Sequence, residues 1–559
     1  MSFHKTTSTV RRVLVLGAAT ALFATALAGN ALGHPEDGER AAAKGAEVLV
    51  TEADRQFFRI NAIERAAMQA SLVPVSNVPC SGGDAAGYSC EGVDLASFLP
   101  LSILGGGDGN DLWGWTDPAT GRDYALMGRS AGTTFVEITN PLNPQVIGTL
   151  PAHSVSSPWR DIKVYDSHAF IVSEGATSGL QVFDLRTMAT QAQRPHVFEE
   201  TAWLGSFSTA HNIAINEETG FAYVVGANTC SGGLHMIDVS SPASPSSAGC
   251  FSADGYTHDV QCVIYRGPDP DHQGAEVCMA SNEDTLTIVD VTDKTNPVQV
   301  SRTGYAGSGY VHQGWLTDDH EFLLADDEVD ELSAGGNTRT YVWDLADLDN
   351  PTMAFVHSGT TPAIDHNQYI RDDRSYQADY TAGLRIVNTD RLALDVMKEL
   401  AYFDTHPEGN GPQFDGAWST YPFYRANIVA VSTIDRGLFI LGYAGEGGSL
   451  HVADLDRRAV VKDANKWRAI GKVGVHDEDG NPVAGAVVTM RWANGKVKTC
   501  TTGPLGRCKT AIIRYNSTDR VGFRILDIEA GDMTYASWLN EDAEGDSNGF
   551  RKTVWRPSN

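Results

Sequence analysis

LTIVDVTDKTNP, residues 286–297, is the clearest copy of a unit that recurs along this chain. A short β-branched run ends in Asp and passes into a turn closed by Asn-Pro, which reads as a strand followed by a tight turn. Variants are LHMIDVSSPASP (234–245), LQVFDL (180–185), TYVWDLADLDNP (340–351) and LRIVNTD (384–390). FVEITNPLNP (135–144) is the first copy and GLFILGY (437–443) the last, which makes seven.

The strand that opens each unit is equally regular: DLWGWTD, WRDIKVY, AHNIAIN, THDVQCVIY, VHQGWLTDD, DHNQYIRDD and DGAWSTYP. Aligned, they put Leu112, Arg160, His211, His258, His312, His366 and Gly416 in one column, at steps of 48, 51, 47, 54, 54 and 50 residues. A period of about 50 with four strands per unit is the length of a propeller blade. The spacing therefore predicts an all-β fold, a seven-bladed β-propeller over residues 76–448. The last unit lacks an outer strand, and VDLASFLPLSIL (93–104) is expected to supply it from the N-terminal side, removing an open sheet edge.

Before the ring, EADRQFFRINAIERAAMQ (52–69) has helical composition, so residues 34–75 are read as a short helical segment. After it, residues 449–465 read as a linker. Residues 466–559 show short alternating strands and are expected to form an immunoglobulin-like β-sandwich.

The chain has 559 residues, enough for two to four domains of roughly 150 residues. Hydrophobic residues make up 42%, which supports real cores. Its net charge of −28 argues against nucleic acid as a partner, because phosphate neutralisation needs a basic face. An anionic lipid surface is disfavoured as the main partner for the same reason.

Lys5, Arg11 and Arg12 precede the apolar run VLVLGAATALFATALA (13–28), with small residues after it. That pattern marks residues 1–33 as a signal peptide, so a secreted, extracellular or cell-surface protein is expected. No later stretch is long and apolar enough to cross a membrane as a helix. The eight cysteines fall into close pairs: Cys80 with Cys90, Cys230 with Cys250, Cys262 with Cys278, and Cys500 with Cys508. Eight cysteines allow 105 connectivities; four local disulfide bonds in an oxidising compartment is the reading adopted.

DLWGWTDPATGRDYALMG, AHNIAINEETGFAYVVG, THDVQCVIY, HQGWLTDDHEFLLADDEVDE and DHNQYIRDD together resemble the choice-of-anchor B family, exported bacterial proteins with LVIVD repeats. The resemblance covers roughly residues 80–443. It implies a propeller-like ectodomain followed by one of several surface-sorting signals, and no established enzyme activity. This chain shows no LPxTG-type motif, terminal apolar helix or basic tail after Trp555. Release to the medium, or docking through the C-terminal domain, is the expectation.

Innermost propeller strands line the central channel, so the column should converge there, with Arg160, Asp161, His211, His258, Asp259, His312 and His366 as channel-lining residues. Two readings stand. In one, the histidines form a hydrogen-bonded network across blades. In the other, His211, His258, His312 and His366 hold a transition metal, since neutral imidazole suits Zn, Cu, Fe or Ni. Carotenoid-cleaving oxygenases, which hold iron by four histidines on a propeller axis, are an analogy only. The acidic run Asp326, Asp327, Glu328, Asp330 and Glu331 reads as a solvated turn or a calcium loop, as does NEDAEGDSN (540–548). GGGDGND (105–111) lacks the Lys-Ser/Thr of a phosphate loop, and no HExxH is present. Trp113, Trp115, Trp159, Trp315 and Trp418 read as packing residues beside opening strands, or as sugar-stacking aromatics at a channel mouth.

The sequence thus points to an exported binding or interaction module for a protein or carbohydrate ligand, with no catalytic residue assigned. The alternatives are a metal-dependent enzyme using the four histidines and a structural or adhesion protein acting through its sandwich.

Overall fold

The computed structural model describes residues 65–557 except 192, 426, 446, 543, 544, 546 and 548. The signal segment and most of the helical segment lie outside them; residues 65–71 are helical. Every sheet among the described residues lies within one unit, Ala67–Asn559.

Among the described residues the strands form nine sheets. Seven follow one another along the chain, each built outward from a strand of the opening type. These strands are Gly109–Thr116, Arg160–Tyr165, Asn212–Asn216, Asp259–Ile264, Val311–Leu316, Gln368–Arg371 and Ala417–Tyr421. Opening strands of consecutive sheets are neighbours, and that of the seventh sheet neighbours that of the first. This succession is a β-propeller fold.

The recurring third strand explains its composition. Leu286–Asp290 lies between two strands of its own sheet and between two other sheets, so both faces are buried. Val289 packs with Tyr223 and Met236 of the third sheet, while Leu286 and Ile288 pack with Leu323 and Tyr341 of the fifth. A run apolar on both faces satisfies both neighbours. The terminal Asp then caps the turn: Oδ1 of Asp290 accepts the Thr292 N–H at 2.8 Å, and Oδ1 of Asp238 accepts that of Ser240 at 2.9 Å.

The seventh sheet is completed from the N-terminal side, as its missing outer strand requires. Val93–Pro100 pairs antiparallel with Gly437–Tyr443, and Val75–Val78 adds a further strand. The helical segment therefore stops short of its expected end at residue 75. Tyr88–Glu91 goes to the sixth sheet instead, against Val396–Phe403.

The four expected disulfide bonds are all formed, and each is local. Cys80 bonds Cys90, which is buried on Tyr88–Glu91, so the bridge ties the entry segment to the sixth sheet. Cys230 bonds Cys250 on Ser246–Phe251, the outer strand of the third sheet. Cys262 bonds Cys278, its direct partner across the first two strands of the fourth sheet. Cys500 bonds Cys508 in the C-terminal domain.

The last two sheets have four strands each and share one core around Trp467, Met490, Trp492 and Phe523. Residues 449–465 are not a linker: Ser449–Asp463 is a long strand paired with Lys466–Asp477. Two register shifts, at Val452/Asp454 and Val461/Asp463, interrupt its alternation and hide it in the sequence. This domain meets the propeller through Trp538, whose Nε1 donates to Oδ2 of Asp94 at 3.1 Å. Arg491 also donates to the carbonyl of Pro118 at 2.9 Å, in the loop that follows the first opening strand.

Candidate functional site

The four histidines stand at the N-terminal ends of four consecutive opening strands, the end away from the loop that Arg491 touches. Their rings form a continuous row, with centroids 4.3 Å apart for His211–His258, 4.2 Å for His258–His312 and 4.4 Å for His312–His366. All but His211 are almost fully buried.

Each ring is oriented through Nδ1. His258 donates to the carbonyl of His312 at 2.8 Å, and His366 to that of Trp418 at 2.5 Å. A carbonyl only accepts, so neutral His258 and His366 keep their lone pair on Nε2. Nδ1 of His312 meets Oδ1 of Asp326 at 3.0 Å, and Nδ1 of His211 meets Oε1 of Glu174 at 2.5 Å.

Glu328 completes the row. Its Oε2 lies 3.8 Å from Nε2 of His312 and its Oε1 lies 3.7 Å from Nε2 of His366. These separations exceed hydrogen-bond length and suit two ligands of one ion. His312, Glu328 and His366 offer ligand atoms all within 4.8 Å of one another. Tyr380 donates its hydroxyl to Oε1 of Glu328 at 2.7 Å.

The electrostatics favour uncharged imidazoles. Burial, then the neighbouring histidines, hold His258 and His312 well below the ordinary imidazole value. Burial pushes His366 down to about 3 and Glu328 up to about 7. At His211 burial is outweighed by the Glu174 carboxylate, which raises its pKa. His211 is therefore the member most given to carrying a proton.

The rest of the aligned column behaves differently. Arg160 is buried and its Nε donates to the carbonyl of Arg129 at 3.2 Å. Leu112 belongs to the apolar core rather than the channel. The residue equivalent to Asp161 and Asp259 is Asp111, since Oδ1 of each accepts the N–H of the next residue. A register shift between Gly109 and Leu112 displaces the first strand and misleads the alignment. Asp161 and Asp111 hold Lys163, whose Nζ lies 2.5 Å and 3.5 Å from them. Burial pushes the Asp259 carboxyl up to about 7. Trp113, Trp315, Tyr369 and Tyr421 pack edge to face further along the same strands. Trp159, by contrast, is 39% exposed.

The acidic run is no solvated turn: Asp326, Asp327, Asp330 and Glu331 are all buried. Asp326 serves His312, and Glu328 joins the row. Asp327 accepts the Tyr305 hydroxyl and the N–H groups of Gly309 and Tyr310. Asp330 takes Tyr341 and Arg339. Glu174 and Glu328, which the column of opening strands does not contain, follow second strands of their sheets. Those strands run antiparallel to the opening ones, so their ends return to the same rim. Part of the acidic loop 540–548 lies outside the described residues.

The LVIVD repeat family matches residues 209–252 and 275–303. None of the curated proteins matches the chain. Among solved structures, the β-propeller domain of Cps50 (Swd1) from Myceliophteria thermophila is similar at 10% identity, covering 58% of this chain and 94% of that one, with a TM-score of 0.39. A functionally unknown protein from Desulfotomaculum acetoxidans is similar at 10% identity, over 55% and 90% of the two chains, with a TM-score of 0.41. The extracellular domain of a putative one-component system from B. thetaiotaomicron is similar at 12% identity, over 78% of this chain and 58% of that one, with a TM-score of 0.40.

Proposed function

We propose that this chain is an exported seven-bladed propeller with an immunoglobulin-like C-terminal domain, acting outside the cytoplasm as a binding module. It holds a transition-metal ion at its channel mouth. His312, His366 and Glu328 are the ligands, His258 stands beside them, and His211 with Glu174 closes the row. The observation that carries this is the pair of Nε2 atoms facing one carboxylate without hydrogen-bonding to it, on rings fixed through Nδ1. Metal-binding histidines are oriented in this way by a carboxylate or carbonyl on the other nitrogen. Four disulfide bonds support the extracytoplasmic setting.

Elemental analysis of tag-free protein, beside a His312→Ala/His366→Ala variant of unchanged fold, tests the reading. About one equivalent of iron, copper, zinc or nickel is expected, lost in the variant. Absence of metal after reconstitution with each ion would leave the row as a hydrogen-bonded network.

A further inference from the structure

The net charge hides a strong asymmetry. Residues 449–559 carry 17 Lys and Arg against 14 Asp and Glu, whereas the other 448 residues carry 25 against 56. Much of that basic surplus lies on one sheet face. In Lys466–Asp477 and Arg507–Tyr515, buried residues alternate with outward ones, as in a sheet covered on one side only. The outward set includes Lys466, Arg468 and Lys472 on one strand and Arg507 and Lys509 on its neighbour; Arg458 pairs with Ile470 from the other side.

Three acids stand against these six cations, all on Ser449–Asp463, where Asp463 is the register partner of Lys466. Asp456 pairs with Lys472 at 2.9 Å and Asp454 approaches Arg507 at 3.8 Å. Among the described residues no carboxylate lies within ion-pair distance of Arg458, Lys466, Arg468 or Lys509. Tyr515, 64% exposed, stands among them with Lys466 over its ring at 5.4 Å. An open groove of about 260 Å³ is lined by Lys472, Arg507 and Lys509 together with their partners Asp454 and Asp456. The propeller contacts of this domain come from Arg491 and Arg524, in the other sheet, and from Trp538 and the Tyr535 carbonyl. Tyr535 lies on the edge strand farthest from Arg507–Tyr515, so the outward face of Lys466–Asp477 and Arg507–Tyr515 is left open.

We infer that this face binds a linear anionic polysaccharide. Outward residues of a sheet lie about 7 Å apart along a strand and about 5 Å between strands, so the cations form a two-dimensional grid that a chain of charged sugars can follow. Arginine forks match carboxylate groups, and exposed Tyr515 offers an apolar surface to a sugar ring. The shape of the partner follows from the acidic remainder of the molecule. A membrane, or a large acidic protein, would come within reach of the propeller's negative field, whereas a slender chain can lie on this face alone. That such a polymer meets the protein in the cell envelope rests on the export proposed above; the binding itself does not.

The test is binding of the full chain to immobilised polygalacturonate across a salt series. Expected is retention at about 50 mM salt that is lost by about 500 mM, as counterion release requires. Arg458→Glu/Arg468→Glu should weaken binding at least about tenfold at the lower salt, since two neutralised charges are lost. Lys496→Glu/Lys498→Glu, on the other sheet, should leave it unchanged. Thermal melting confirms that both variants stay folded. The inference is overturned if wild type is not retained, or if both variants lose binding equally. Equal or tighter binding to vesicles containing phosphatidylserine would overturn it in favour of a membrane.

Discussion

The Tyr380 hydroxyl donates to Oε1 of Glu328 at 2.7 Å, the oxygen that faces His366. The carboxylate is thereby held between two imidazoles by a group that would not itself touch a metal. Tyr380→Phe is expected to lower metal affinity by about 10–100-fold, the usual effect of losing such a support. Glu328→Gln should lower it further, and His211→Ala less than His366→Ala. Competition with a coloured chelator ranks the four. Equal loss in all of them would mean that the row responds as a packing unit rather than as ligands.

Lys163 forms the second prediction. Its side chain is only 11% exposed, with the ammonium 2.5 Å from Asp161 and 3.5 Å from Asp111. Although burial opposes it, Lys163 keeps the Asp161 carboxyl below its ordinary value. The group is depressed, so its stabilisation is complete above about pH 4 and disappears as pH falls through the folded value. Asp161→Asn leaves a buried cation without its nearest partner and should cost about 3–5 kcal/mol at neutral pH. Denaturant unfolding measures it; a loss below about 1 kcal/mol would show that Asp111 suffices.

Asp379 predicts the opposite slope. Burial pushes it up to about 7, against Arg385 and with Glu399 adding to the rise. Between about pH 4 and 7 the folded chain holds a proton that the unfolded chain has released, so this group's contribution weakens as pH rises. Its Oδ1 has no hydrogen-bond partner, so an amide forfeits little there. Asp379→Asn should stabilise the protein at pH 8, on the order of 2 kcal/mol, and flatten the slope between pH 5 and 8. Unfolding midpoints at the two pH values decide it.

What the sequence made legible was what repeats. The third strand returns seven times, four of them ending in Asp, because both its faces have the same task in each sheet. The missing outer strand after Tyr443 pointed to residues 93–104 because an open edge had to be filled. Cysteines close in sequence, such as Cys262 and Cys278, were legible as pairs because a hairpin sets them opposite each other. The candidate site was half legible. His312 and His366 stand in the aligned column, but Glu328 enters from the turn after a second strand, and no period in the opening strands reveals it. Leu112 misled because a shift of pairing between Gly109 and Leu112 moves the chain without changing its composition. Asp330 and Glu331 looked solvated because charge in a short run predicts exposure, whereas here the run turns inward to meet Arg339 and Tyr341.

The junction between propeller and C-terminal domain gives the last prediction. Gly442 lies on the strand that pairs with Val93–Pro100, and a Cβ added there would sit 2.2 Å from the Trp538 ring. The ring is 2% exposed and its Nε1 reaches Asp94 on that same partner strand. Gly442→Ala therefore cannot be accommodated without moving Trp538, while its own strand can keep its pairing. If the indole is what couples the two parts, Gly442→Ala and Trp538→Ala should both split a single melting transition into two. The cost is about 3–5 kcal/mol for the lost tryptophan, drawn from the apolar cluster that it shares with Leu99, Ile428 and Ile440 of the propeller. Calorimetry reads the outcome directly. A single transition that only shifts downward would mean that Arg491 and Asn427, which donate across the same boundary to Pro118 and Tyr535, hold the parts together without the ring.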